Sequence, residues 1–178
     1  MKKSLLALAA ILTLSTPVLA QQPAAPQAPM PQMTKEQMQQ VMMRQMAMMA
    51  AMFDMRVSRL GFEETVNALK TAAEKRGWKV DRIQDVQAEM VKAGVKDARP
   101  MKVLHGCPPG ANDKLAKAGQ GKLPPLPCRY TVMDDKDGKV RVVKLNTGMI
   151  AKANPSEVGK VLGEVAAEED ALLQGLVQ

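Results

Sequence analysis

Histidine occurs once in the chain, at His105, and the aromatics number four: Phe53, Phe62, Trp78 and Tyr130. A single histidine excludes a poly-histidine metal site and any Ser-His-Asp triad built on another histidine. Four aromatics leave base-stacking modes of single-strand nucleic-acid binding little to work with. A basic block able to track phosphates is missing too. Lys and Arg alternate with Asp and Glu over residues 70–96, which reads as a solvated mixed surface, and no nucleic-acid partner is expected. Gly119-Gln120-Gly121-Lys122 has neither the spacing nor the strand context of a phosphate loop. Asp134, Asp135 and Asp137 lack the rest of a calcium-loop pattern and suit a hairpin turn. With no general acid–base pair in sight, the chain is not expected to be an enzyme.

What is present points to an exported protein. The 178 residues, 46% hydrophobic and 24% charged, suffice for one globular domain with an appendage. Lys2 and Lys3 precede an apolar run over 5–14, and Pro17-Val18-Leu19-Ala20 supplies small residues for cleavage. That layout is a secretory signal over 1–20, with an uncleaved anchor as the alternative; its apolar core is too short to span a bilayer. Cleavage after Ala20 would start the mature chain at Gln21, in a bacterial periplasm or outside the cell. Loss of Lys2 and Lys3 lowers the formal charge from +7 to +5. No cysteine follows the run to carry a lipid, and no later segment is apolar enough to be transmembrane.

Residues 21–33 hold four prolines and no charge, which predicts an extended linker. Thr34-Lys35-Glu36-Gln37 has the pattern of a capping box and predicts a helix over 35–55. Beyond it, helical spacing over 62–76, strand alternation over 78–86 and a strand over 101–107 are expected. An Asp137-Gly138 turn should join strands over 128–133 and 139–145. Ser156 can cap a last helix reaching Leu176, with Val158, Val161, Leu162, Val165, Leu172 and Leu173 on its apolar face. Mixed helices and strands with a late hairpin predict an α+β domain of two layers over 56–178.

Gly61-Phe62-Glu63-Glu64-Thr65-Val66, Cys107-Pro108-Pro109, Leu126-Pro127-Cys128-Arg129 and Asp137-Gly138 before a strand resemble the family called domain of unknown function 302. The resemblance covers roughly 55–178. It implies a small α+β domain with helices packed on an antiparallel sheet, and it implies no settled reaction. The methionine segment lies outside it.

Fifteen methionines are the one gross anomaly of composition, and ten fall between Met30 and Met55. On a helix of 100° per residue, Met38, Met42, Met46, Met49 and Met52 share one broad stripe, flanked by Met48 and Met55. Stripe members three or four apart can bring their sulfurs together over adjacent turns. Thioethers suit Cu(I) and Ag(I), whereas Zn(II) and Cu(II) find few ligands there. The competing reading is a packing face, used on the domain itself, on a second copy in self-association, or on a protein or hydrophobic ligand. Leu and Ile, which specify a core better, are absent from the stripe.

Cys107 and Cys128 are the only cysteines, and export places them where disulfides persist. One structural bridge is the first expectation. A second is a metal set of His105, Cys107 and Cys128, because His105 and Cys107 would share a strand face. A third is a thiol redox protein, weakened by the missing resolving cysteine in Cys-Pro-Pro. The sequence therefore predicts a periplasmic or secreted binding protein, most simply for Cu(I) or Ag(I), with a non-metal interaction module as the alternative.

Overall fold

The computed structural model describes residues 34–178; the expected signal and linker, 1–20 and 21–33, lie outside the described residues. The order is α1 (Lys35–Ala51), β1 (Phe53–Val57), α2 (Phe62–Lys75), β2 (Lys79–Asp85), α3 (Val86–Lys92), β3 (Met101–Cys107), α4 (Ala111–Ala118), β4 (Arg129–Asp134), β5 (Val140–Leu145), α5 (Thr147–Ala153) and α6 (Glu157–Leu173). The five strands form one sheet in the order β1-β5-β4-β3-β2, and every neighbouring pair is antiparallel. The fold is α+β.

Alternation along the strands gives the sheet two different faces. Leu104, Tyr130, Val132 and Val142 point to the side covered by α2 and α6, where Val66, Leu69, Ala73, Leu172 and Leu173 meet them in one buried cluster. Trp78 closes it against Tyr130, with ring centroids 5.9 Å apart. The intervening residues, among them Phe53, Met55, Thr131, Met133 and Val143, point the other way. Phe53 and Met55 are 57% and 56% exposed there.

The hairpin forms where the Asp-Gly pair predicts it. Gly138 takes φ +72°, a conformation in which a side chain would be strained. Arg141 pairs with Asp135 and Asp137 at 2.5 and 2.7 Å, which gives the acidic turn a structural role. Gly106 sits beside the bulge between Val80 and Arg82, and a Cβ there would lie 2.9 Å from the Lys79 carbonyl oxygen.

Two boundaries differ from the sequence reading. The first helix stops at Ala51, and Phe53–Val57 is a strand. Phe53, Met55 and Val57 alternate with Asp54 and Arg56, a period of two that overrides the helical run of methionines. Met55 thus leaves the helix stripe and joins the open sheet face, and the sheet begins before residue 56. The last helix ends at Leu173, and a separate helix, α5, precedes it.

Candidate functional site

The methionine helix is built from its ends. The Thr34 hydroxyl accepts from the Gln37 amide at 3.2 Å, and the Gln37 side chain accepts from the Thr34 amide at 2.9 Å, completing the capping box. At the other end Met52 alone separates α1 from β1. Asn146 fastens this junction: its amide donates to the Met52 carbonyl at 2.8 Å and its side chain to the Ala51 carbonyl at 3.1 Å.

Between those ends α1 has no buried residue. Met42, Met46 and Met49 are 54%, 63% and 61% exposed, and Met38, Met48 and Met52 lie beside them, each more than 40% exposed. Helical spacing puts Met42, Met46 and Met49 within about 60° of one another around the axis. Gln45 interrupts the stripe on its Val41 side. Packing of the stripe on its own domain, one of the alternatives raised by the sequence, is therefore not what the fold does. The arrangement offers a line of neutral, polarisable sulfurs open to an ion or to another molecule.

Cys107 and Cys128 are joined in a disulfide, with Cα atoms 5.2 Å apart, between the end of β3 and the approach to β4. Bonded in this way, neither sulfur offers a thiolate to a metal, so a His105–Cys107–Cys128 set would first need reduction. Among the described residues no group of three or more His, Cys, Asp or Glu side chains is placed to hold a metal ion. His105 lies on the open face between Arg82 and Arg129, its register partners. Burial, then the charges of those two arginines, hold its imidazole below the usual pKa.

The structure adds one cluster that the sequence reading missed. The buried carboxylate of Glu169 accepts from Tyr130 at 3.0 Å, from the Lys144 ammonium at 3.0 Å and from the Thr147 hydroxyl at 2.5 Å. Lys144 also lies 3.4 Å from Asp54, its register partner on β1. Arg56 bridges Asp54 and Asp170 at 2.8 and 2.6 Å. Burial raises the Asp54 carboxyl, but hydrogen bonding from Arg56 and the charge of Lys144 outweigh it and leave its pKa lowered. Burial, with the Glu169 carboxylate beside it, drives the Tyr130 phenol far up, so it stays a proton donor. A cleft of about 290 Å³ opens alongside, lined by Asp54, Arg56, Lys144, Asn146, Lys152 and Asp170. Lys144 and Arg56 both face carboxylates there, so the cluster ties β1, β5 and α6 together rather than presenting a free charge. Its sequence signals were Lys144 on the inward alternation of β5 and Glu169 on the apolar face of the last helix.

Comparison with known proteins agrees with this fold. A family model described as "Domain of unknown function DUF302" matches residues 53–176. No curated protein matches the chain. The solved structure of an uncharacterized conserved protein DUF302 from Bacillus stearothermophilus is similar at a TM-score of 0.57 and 18% identity. That likeness covers 68% of this chain and 95% of the other. The family match begins at β1 and leaves out α1.

Proposed function

The chain belongs to the DUF302 family, and on that footing we propose that it is an exported, non-enzymatic binding protein whose α1 takes up a soft monovalent ion, Cu(I) or Ag(I). The observation that carries this reading is the exposure of Met42, Met46 and Met49, each more than half open to solvent on one helical stripe. Methionine used for ordinary packing would be covered, and leucine would serve at least as well. Neutral thioethers satisfy a monovalent soft cation without a charged ligand, and two or three from neighbouring turns suffice. Export rests on the layout of residues 1–20, and the bonded cysteines fit an oxidising compartment.

The test is a Cu(I) titration of the mature chain against a colorimetric competitor, run beside Met42→Leu/Met46→Leu/Met49→Leu. Wild type should hold Cu(I), and the triple variant should lose it while keeping its helix, since Leu forms helices as well as Met. Equal Cu(I) affinity in the two proteins would overturn the reading.

A further inference from the structure

We infer that Arg82, His105 and Arg129 form a binding site for a tetrahedral oxyanion, phosphate or the phosphoryl group of a small ester. The three residues stand on neighbouring strands, and the ladder sets them in one row. His105 on β3 is the register partner of Arg82 on β2 and of Arg129 on β4. Directly opposite residues of antiparallel strands share a face, with Cα atoms about 5 Å apart. The row therefore lies on the open face, away from Leu104 and Tyr130 in the core, with one imidazole between two arginines. Its members are far apart in sequence, so the patch exists only in the folded sheet.

Charge balance singles this row out. The strands carry four arginines: Arg56, Arg82, Arg129 and Arg141. Arg56 is paired with Asp54 and Asp170, and Arg141 with Asp135 and Asp137. Arg82 and Arg129 are exposed and enter no ion pair among the described residues. Asp81, whose charge acts on His105, is itself engaged by Lys79 at 3.7 Å. His105 Nε2 is covered and has no hydrogen-bond partner among the described residues. An anion oxygen would satisfy that orphaned atom, with the exposed arginines turning in to share the ion. Like charges facing one another across strands destabilise a sheet, and a bound dianion turns that repulsion into attraction. The planar fork of arginine donates two hydrogen bonds to one phosphate. A tetrahedral ion has oxygens enough for two such forks and an imidazole, whereas a carboxylate has two oxygens in all. The row spans β2, β3 and β4, and α1 adjoins β1 at the other edge of the sheet, so the inference rests on none of the methionines.

His105 is the chain's one histidine, so its Cε1 proton resonance in the untagged mature protein reports the site unambiguously. Burial, then Arg82 and Arg129, lower its pKa, and Asp81 opposes them. Sulfate, a dianion throughout the titration, should raise the midpoint saturably and further than chloride at matched ionic strength, which measures screening alone. In Arg82→Gln/Arg129→Gln the midpoint should start higher, and the sulfate and chloride curves should coincide. Each single Gln variant should weaken sulfate binding by about tenfold. Near-ultraviolet circular dichroism from Trp78 and Tyr130 checks that the variants fold. At fixed pH, the same resonance followed against inorganic phosphate and against glycerol 3-phosphate tells a free ion from a phosphoryl group on a larger molecule. Equal effects of sulfate and chloride on the wild type would overturn the inference. So would an extra sulfate shift that survives in the double variant.

Discussion

Glu169 follows Val165 by four residues and precedes Leu172 by three, which puts a carboxylate on the apolar face of α6. It is tolerated because Tyr130, Lys144 and Thr147 all donate to it. Glu169→Ala would strand the Lys144 ammonium at 4% exposure. Removing one partner of a buried pair costs about 3–5 kcal/mol, and urea unfolding should show that loss. A cost below about 1 kcal/mol would mean that water replaces the carboxylate. His105 carries a pH dependence. Its pKa is lowered in the fold, so as pH falls below about 6.5 the unfolded chain takes up the proton first. The unfolded state then holds more protons, and stability declines with falling pH. His105→Gln should flatten that decline between about pH 7 and pH 5; an unchanged slope of the urea midpoint would refute it. Neither residue's role was legible from a neighbourhood in sequence, since Glu169 meets partners from β4, β5 and α5.

Elements were more legible than residues where local chemistry decides them. Thr34 and Gln37 announce the start of α1, and Asp137-Gly138 announces the hairpin; both formed as read. The end of α1 differs from the helical periodicity because methionine is compatible with either period, and pairing of Phe53–Val57 with Val140–Leu145 decides it from a distance. The short α5 has no periodic signal in the sequence, because its packing against α6 sustains it. The disulfide joins the ends of β3 and β4 across 21 residues. Cys107→Ser/Cys128→Ser should lower stability by about 3 kcal/mol through the freed unfolded chain. An unaltered urea midpoint would show that sheet pairing alone fixes this loop.

At the scale of the whole molecule, Met52 alone joins the methionine helix to the family domain. The domain closes its own core between the sheet, α2 and α6, while α1 contributes nothing to that core. The fold class followed from mixed periodicities and the late hairpin, and the family followed from short motifs. The open sheet face did not, because alternation tells which residues share a face but not which face the helices cover. The central claim, a soft ion held by thioethers, is tested most directly by copper K-edge X-ray absorption of the Cu(I)-loaded mature protein. The account predicts two or three sulfur neighbours and no nitrogen, with the signal lost in the Met42, Met46 and Met49 triple Leu variant. Nitrogen or oxygen neighbours, or the same spectrum from the triple variant, would contradict it.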